Sequence, residues 1–135
     1  MTVYLDANVF YFSLYPDDNR CAEARNILRK VARGVLKAHT CPLAIDEFVW
    51  SMLKKSKNKE VAIKEGLKIL SLNNLNFISV DKEIVFNSLK VMNLYSLKPR
   101  DAIHLAAMLS KGIKTIVSDD KDFDKIKGIK RKSLD

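Results

Sequence analysis

The sequence predicts an α/β fold, a three-layer α/β/α sandwich in which helices cover both faces of a central parallel sheet of about five strands. Short apolar segments of strand length alternate with longer segments whose apolar residues recur at helical spacing. Strands alternating with helices imply right-handed crossover connections, which make the strands parallel. The 135 residues contain no repeat, low-complexity tract or Gly/Ser/Pro-rich linker, so we expect a single domain over residues 1–135.

Six elements are predicted before residue 73. Pro16 stops the short apolar helix that follows the first strand, and Pro42 suits the first turn of a later helix. Asp17 and Asp18 are predicted to cap the helix that ends at Gly34. In order, the elements are a strand at 2–5, a helix at 8–15, a helix up to 34, a strand at 35–40, a helix from 42 that carries residues 48–53, and a helix at 58–72.

Five further elements are predicted in the rest of the chain. Asp81 is expected to cap a helix that ends near Tyr95, and Pro99 fits the first position of the next helix. That helix is apolar nearly all round over residues 102–109, so we expect it to lie between two layers, and Gly112 ends it. The three strands of this half are predicted at 77–80, 115–117 and 128–131.

The chain is strongly basic, with 24 Lys and Arg against 16 Asp and Glu and a formal net charge of +8. This balance favours an acidic partner, and nucleic acid is the leading candidate. A solvated helix face explains a run of lysines equally well, so charge alone does not separate an RNA enzyme from an ordinary basic protein. The basic residues concentrate at Lys54, Lys55, Lys57 and Lys59, and again from Lys121 through Lys132.

Composition also narrows the class of protein. Hydrophobic residues make up 47% and charged residues 30%, which is typical of a soluble globular protein. No apolar run reaches the roughly 18 residues of a membrane span, and no signal peptide precedes the first strand. Cys21 and Cys41 lie in no CxxC or His/Cys cluster, which argues against a zinc site and a secreted disulfide scaffold. We therefore expect a cytoplasmic protein with no membrane segment.

Carboxylates stand where predicted strands end and predicted helices begin. In an open parallel sheet, ligands bind beyond the carboxyl ends of the strands, where the strand order reverses. Asp6 ends the first strand and Asp120 follows the fourth, while Glu47 lies one turn into a helix and Asp101 near the start of another. Each acid also has a local explanation, since a helix cap or a carboxylate at a helix N-terminus contributes about 1 kcal/mol. Four acids at one edge of a basic protein favour a metal-dependent enzyme that acts on a polyanion.

Four segments of the chain match a family pattern, in the same order and at similar intervals. On these segments the chain resembles PIN-domain nucleases, and most closely the compact VapC-type toxins of prokaryotic toxin–antitoxin pairs. The resemblance spans essentially the whole chain. The segments are Tyr4-Leu5-Asp6-Ala7-Asn8, Glu47 in the third helix, Arg100-Asp101-Ala102-Ile103-His104-Leu105-Ala106, and Ile116-Val117-Ser118-Asp119-Asp120-Lys121-Asp122-Phe123.

The resemblance implies a set of site residues. The four catalytic acids fall on Asp6, Glu47, Asp101 and Asp120. Carboxylate oxygens are the hard ligands that Mg²⁺ prefers. The implied ligands for Mg²⁺, with Mn²⁺ as a substitute, are Asp6, Asp101, Asp120 and Asp122. The implied substrate-orienting residues are Asn8, Arg100 and Ser118, the last of which stands where the family usually has threonine. The role of the neighbouring Asp119 stays open.

The same resemblance implies an endoribonuclease. A metal-activated water would attack the phosphodiester bond of single-stranded RNA and leave a 5′-phosphate and a 3′-hydroxyl. This chemistry does not use the ribose 2′-hydroxyl, so RNA rather than DNA follows from the resemblance alone. The implied role is the toxin of a toxin–antitoxin pair, with an antitoxin protein as partner and the nuclease as a homodimer. Which RNA is cut, and whether one or two ions bind, stay open.

Two other functions stay open at this point. A haloacid-dehalogenase-type phosphatase also begins with a strand that ends in Asp, but it needs a second Asp two residues on, where this chain has Asn8. A non-catalytic, RNA-binding PIN domain usually lacks one of the acids, and all four are present here.

Several further side chains have open roles. His104 lies one turn after Asp101 and could hydrogen-bond to it, although a histidine in so apolar a helix is more often a satisfied core residue. Arg100 suits either a phosphate or a nearby acid. Four aromatic residues crowd one short helix, and we expect most of them in the core and some along a groove for a partner helix: Phe10, Tyr11, Phe12 and Tyr15.

Overall fold

The structure is a computed structural model that describes residues 1–135. Helices and strands alternate along it as the sequence predicts. In chain order the elements are β1 Thr2–Leu5, α1 Ala7–Phe12, α2 Cys21–Ala32, β2 Lys37–Thr40, α3 Pro42–Ser56, α4 Lys59–Leu70, β3 Leu75–Phe77, α5 Lys82–Tyr95, α6 Pro99–Ser110, β4 Thr115–Val117, a 3-10 helix Lys121–Lys125 and β5 Lys130–Lys132.

All five strands form one parallel sheet in the order β3-β2-β1-β4-β5. The chain builds outward from β1 through β2 to β3 and then crosses back to place β4 on the other side of β1. The strand order therefore reverses between β1 and β4, which pair with Leu5 opposite Val117. The residues that follow both strands, Asp6 and Ser118, emerge side by side at the carboxyl edge of the sheet. The predicted α/β/α class and parallel sheet are confirmed.

The two faces of the sheet carry separate cores because successive side chains of a strand point to opposite faces. Val3 and Leu5 of β1 pack with residues of α1, α2, α3 and α4 in one core. Tyr4, between them, packs in the other core with Ile116 and with residues of α5 and α6. Most of α6 is buried, which confirms that this helix lies between two layers. The side chains that α6 presents to the sheet therefore reach the site without contact with solvent.

Some predicted boundaries are wrong, for local reasons. Asp17 and Asp18 do not cap α2, because its N-cap is Arg20, whose guanidinium binds the Asp18 carboxylate at 2.6 Å. The third strand covers Leu75–Phe77 rather than 77–80, although one more backbone bond follows from Ile78 N to Thr40 O at 2.8 Å. The fifth strand begins at Lys130, because the positive φ of Gly128 belongs to the preceding turn. The shorter limits of the first helix and the second strand are further differences of a few residues.

The aromatic residues of the α1 region divide between the core and its border. Phe10 is fully buried, and the other three pack against the same core while half-buried: Tyr11, Phe12 and Tyr15. None of the helices is both long and apolar enough to cross a membrane.

Candidate active site

Asp6 is held at the end of β1 by hydrogen bonds from three directions. Its Oδ1 accepts from the backbone N–H of Ala7 at 2.7 Å, so it caps α1 as an N-cap residue does. Its Oδ2 accepts from the Ser118 hydroxyl at 2.6 Å and from the Asn8 amide at 3.4 Å. The carboxylate is buried, with only 6% of the residue exposed. The local capping role and a place in the site therefore coexist in one side chain.

Ser118 joins the ends of β1 and β4. Its side chain is fully buried, and besides donating to Asp6 its hydroxyl oxygen accepts from the backbone N–H of Asp120 at 3.0 Å and from Asn8 at 3.3 Å. Asp120 in turn caps the 3-10 helix by accepting from the N–H of Asp122 at 2.9 Å. These bonds fix the Asp120 backbone relative to Asp6, although the two residues are 114 positions apart in the sequence.

The predicted acids converge on one cleft of about 230 Å³ at the carboxyl edge of the sheet. Two groups of potential ligand atoms lie there, each with its atoms within 4.8 Å of one another. One group consists of Asp6, Glu47 and His104, and the other of Asp101, Asp120 and Asp122. The cleft is lined by Asp6, Ala7, Asn8, Tyr11, Glu47, Ser51, Asp101 and Asp120.

Burial and mutual repulsion perturb these acids. Burial, followed by the negative charges of Asp120 and Asp6, raises the pKa of Asp101 to about 7. Burial also raises the pKa of Asp6, against the opposing effects of His104 and the Ser118 hydrogen bond. A cleft that gathers acids whose charged forms are disfavoured is complementary to a cation, because a bound cation offsets both causes.

His104 is fully buried, and it does not bind Asp101. Its Nε2 hydrogen-bonds instead to Oε1 of Glu47 and lies 3.9 Å from Oδ1 of Asp6, while its Nδ1 hydrogen-bonds to the Tyr4 hydroxyl at 2.6 Å. The suggested bond to Asp101 is therefore wrong, because the ring turns across to α3 and β1 rather than back along its own helix. The description of His104 as a satisfied core residue is confirmed. Its contact with Glu47 was missed, and the only sequence signal for it is a polar side chain in an otherwise apolar helix.

The remaining residues considered from sequence lie around the cleft. Asp119 faces away from it, because its carboxylate pairs with Arg20 at 2.6 Å while its N–H donates to Asn8. Arg100 is exposed and forms no ion pair with a nearby acid. Asp122 is half-buried beside Asp101 and Asp120 without lining the cleft itself.

The family model for the PIN domain matches residues 3–129. The chain belongs to the PIN domain family. The match covers every segment on which the resemblance was drawn, including the strand that ends at Asp6 and the acidic stretch after β4. A comparison with curated protein sequences finds no significant match.

Solved structures with the same fold include VapC toxins and VapBC complexes. A Mycobacterium tuberculosis VapC20 structure, described as a sarcin-ricin-loop-cleaving toxin, has a TM-score of 0.75 at 17% identity, over 90% of this chain and 92% of that one. VapBC2 from Rickettsia felis, bound to a promoter DNA fragment, has a TM-score of 0.72 at 17% identity, over 98% of both chains. A Klebsiella pneumoniae toxin–antitoxin complex has a TM-score of 0.66 at 20% identity, over 94% of both chains. The resemblance to PIN-domain proteins is confirmed, and the VapC and VapBC structures share the fold of this chain.

The donor set of the cleft fits a hard divalent ion. Its accessible ligand atoms are carboxylate oxygens, which suit Mg²⁺ and Mn²⁺ better than soft or thiophilic metals. The nearest sulfur ligand, Cys41, is fully buried behind His104, with its Sγ 3.6 Å from Nδ1 of that ring. The one imidazole nitrogen near the acids, Nε2 of His104, already bonds to Glu47.

We expect the metal-free protein to lose stability as the pH rises from about 4 to about 7. The pKa of Asp101 is about 7 in the folded chain against an ordinary value of 3.8, so in this window the folded state holds a proton that the unfolded state has lost. The same sign holds for His104 above its ordinary pKa of 6.5, since hydrogen bonds to Cys41 and Glu47 outweigh burial and raise its pKa. Thermal melts in EDTA should show a loss of about 1–2 kcal/mol across the window, after allowance for solvent screening through the open cleft that Asp101 lines.

The matched variant for this prediction is Asp101→Asn, which removes the titrating carboxylate. Its melting temperature should depend less steeply on pH over the same window. Equal slopes for the two proteins would show that Asp101 does not hold a proton in the folded state.

Proposed function

We propose that the protein is a Mg²⁺-dependent endoribonuclease, the toxin of a toxin–antitoxin pair, acting as a single PIN-like nuclease domain over residues 1–135. The observation that carries the proposal is the convergence of Asp6, Glu47, Asp101 and Asp120 around one cleft of a PIN-family chain. A non-catalytic PIN domain has no need to keep four acids together at the cost of their mutual repulsion. Asn8 donates to Asp6 and so occupies the place where a dehalogenase-type phosphatase needs a general acid.

In the proposed site, Asp6, Asp101 and Asp120 would hold the ion, with Asp122 beside them. A divalent ion there would supply a water molecule of lowered pKa and positive charge to offset the charge that builds on the phosphate. The Ser118 hydroxyl and the Asn8 amide fix the orientation of the Asp6 carboxylate through Oδ2. Glu47 faces the cleft from α3, where its carboxylate would add negative charge beside the ion and could accept a proton from the attacking water. The product ends are a 5′-phosphate and a 3′-hydroxyl.

The exposed guanidinium of Arg100 stands at the start of α6, one residue before Asp101. There it can pair with a backbone phosphate of the substrate through charge-assisted hydrogen bonds. The net charge of +8 supports a polyanionic substrate. The description of VapC20 as a sarcin-ricin-loop-cleaving toxin supports RNA as that substrate.

Protein partners are part of the proposal. The Rickettsia felis and Klebsiella pneumoniae structures are toxin–antitoxin complexes, which supports an antitoxin as the partner of this chain. Two helices expose several large apolar side chains, and exposed apolar patches of this kind mark protein–protein contacts. These side chains are Ile63, Leu67 and Leu70 on α4, and Val85, Phe86 and Leu89 on α5. They support contact with an antitoxin and with a second copy of the chain. We propose that the protein acts in the cytoplasm.

The test is cleavage of end-labelled single-stranded RNA by the purified chain in three conditions. We expect defined products with Mg²⁺ or Mn²⁺, none in EDTA, and recovery when excess Mg²⁺ is restored, because the carboxylates cannot position a water alone. The same ions should raise the melting temperature, since they bind the folded state. Cleavage that continues unchanged after complete chelation would contradict the metal-dependent mechanism. Turnover of a phosphomonoester that is lost in Asp6→Asn, without any RNA cleavage, would instead support the phosphatase.

A further inference from the structure

A chain of hydrogen bonds runs from the core to the rim of the cleft and ends on Glu47. It begins at Tyr4 of β1, whose fully buried hydroxyl meets Nδ1 of His104 at 2.6 Å. The opposite nitrogen of the same ring, Nε2, meets Oε1 of Glu47. The rings of Tyr4 and His104 also pack edge to face, with centroids 5.6 Å apart. Both ring nitrogens of this buried histidine therefore have fixed partners, on two different elements.

We propose that His104 is a positioning residue for Glu47, which donates its Nε2–H to the Glu47 carboxylate and is itself held in orientation by Tyr4. This inference rests on the proposed function, because it assigns His104 a role toward the metal-binding acids. It goes beyond that function because a residue that is not an acid, His104 on α6, determines the orientation of the Glu47 carboxylate on α3. His104 acts through Glu47 and does not touch the substrate.

The geometry explains why Glu47 needs such support. Glu47 is the acid with the longest side chain in the cleft, and it reaches in from α3, whereas Asp6 is fixed by its own helix cap and by Ser118. No other hydrogen-bond donor contacts the Glu47 side chain in the structure, so without His104 its three χ torsions would be free to reorient. Holding one carboxylate oxygen leaves the other available to the cleft.

Tyr4 can fix the His104 ring because the strand that carries it, β1, also leads directly to Asp6 in the cleft. Tyr4 points to the α6 face of the sheet, and Asp6, two positions further on, follows the end of the same strand. The thiol of Cys41, at the start of α3, lies 3.6 Å from Nδ1 of His104 and closes the space behind the ring. The ring can therefore neither flip nor move toward the core without losing the bond to Tyr4.

A direct metal-ligand role for His104 is the competing interpretation, since its Nε2 lies within 4.8 Å of ligand atoms of Asp6 and Glu47. The structure favours positioning for two reasons. Nε2 already makes a hydrogen bond to the Glu47 side chain, and an ionised carboxylate can only accept, which favours the proton on Nε2. Mg²⁺ also prefers oxygen to imidazole nitrogen. Metal-supporting residues behind the ligands typically change metal affinity by about tenfold to a hundredfold when removed.

The test measures Mn²⁺ affinity by isothermal titration calorimetry on the full-length, metal-free chain, together with the melting temperature in EDTA. His104→Leu removes both nitrogens, whereas His104→Gln keeps an N–H at the place of Nε2, and Tyr4→Phe removes only the hydroxyl. We expect His104→Leu to weaken Mn²⁺ binding by about tenfold to a hundredfold, Tyr4→Phe by a smaller factor, and His104→Gln to restore most of the affinity. His39→Leu is the matched control, because the only other histidine lies on β2, outside the cleft, and should leave the affinity unchanged.

Nitrogen-15 NMR of the wild-type chain with labelled histidine reports directly on which ring nitrogen carries the proton. This measurement does not depend on whether the variants fold. We expect the Nε2 of His104 to carry a slowly exchanging proton both before and after Mg²⁺ is added. A folded His104→Leu with wild-type affinity, a His104→Gln as weak as His104→Leu, or an Nε2 that loses its proton on metal binding would each overturn the positioning role. A wild-type chain that binds no Mn²⁺ would overturn the proposed function and this inference together, whereas wild-type binding with unaffected variants overturns the inference alone.

Discussion

Replacing Asp101 with asparagine is expected to reduce RNA cleavage by roughly 10³-fold or more while the protein remains folded, since a lost metal ligand removes several kcal/mol of transition-state stabilisation. Asn is close to Asp in shape, so the N-terminal turn of α6 should be preserved. The variant should melt at the same temperature as the wild type or higher in EDTA near neutral pH. The reason is that Asp101 is destabilised there by burial and by the charges of Asp120 and Asp6, which also raise its pKa to about 7.

The matched control is Asp46→Asn, which makes the same chemical change at an exposed acid next to Glu47. It should leave both cleavage and melting unchanged. Single-turnover cleavage of labelled RNA in Mg²⁺, measured beside the thermal melts, separates the two effects. Full activity in Asp101→Asn would remove this residue from the site, and a large loss of stability would show that its carboxylate is structural.

Truncating Phe10 to alanine is expected to lower the free energy of unfolding by about 3–4 kcal/mol. The Phe10 ring is fully buried where α1 packs on α3, and it meets the ring of Phe48 edge to face with the centroids 6.4 Å apart. Its removal leaves a cavity and loses an aromatic contact. Because α1 is only six residues long and begins at the cap formed by Asp6, loosening it should also lower cleavage at temperatures well below the melt.

Chemical denaturation followed by circular dichroism measures this change in stability. Phe86→Ala is the control, because the side chain lies on α5 and the residue is 58% exposed, so its truncation should cost about 0.5 kcal/mol or less in the free chain. A loss below about 1 kcal/mol for Phe10→Ala would mean that the helix can collapse into the space.

The sheet and the meeting of the acids could be predicted because they depend on local patterns and one general rule. Asp6 directly follows a buried strand, and Ser118 directly follows another, so their positions needed only the strand order. The rule that parallel strands present their carboxyl ends at one edge then places them together. Asp101 could be located in the same way, since Pro99 fixes where its helix begins.

Contacts between distant side chains could not be predicted in this way. The bond from His104 to Glu47 joins residues 57 positions apart and depends on the rotamers of both, for which the only sequence signal is a polar side chain in an otherwise apolar helix. The different directions of Asp119 and Asp120 have a similar origin. They are neighbours in sequence, and the difference arises because Arg20 binds one while the hydroxyl of Ser118 holds the backbone of the other.

The third strand shows a different limit. The prediction at 77–80 followed the more apolar residues, but pairing with β2 begins at Leu75, opposite Ala38. A three-residue strand is too short for alternation to define its register, so the neighbouring strand decides where it lies.

The crossing from β3 back to β4 means that the cleft joins residues that lie far apart in the sequence. Asp6 lacks its shortest hydrogen bond until Ser118 is in place, and the backbone N–H of Ser118 is itself held by the carbonyl of Lys132 in β5, at 3.1 Å. During translation, the complete cleft therefore cannot assemble until β4 and β5 have left the ribosome. A protein that attacks RNA would accordingly have an incomplete site while those two strands are still in the exit tunnel.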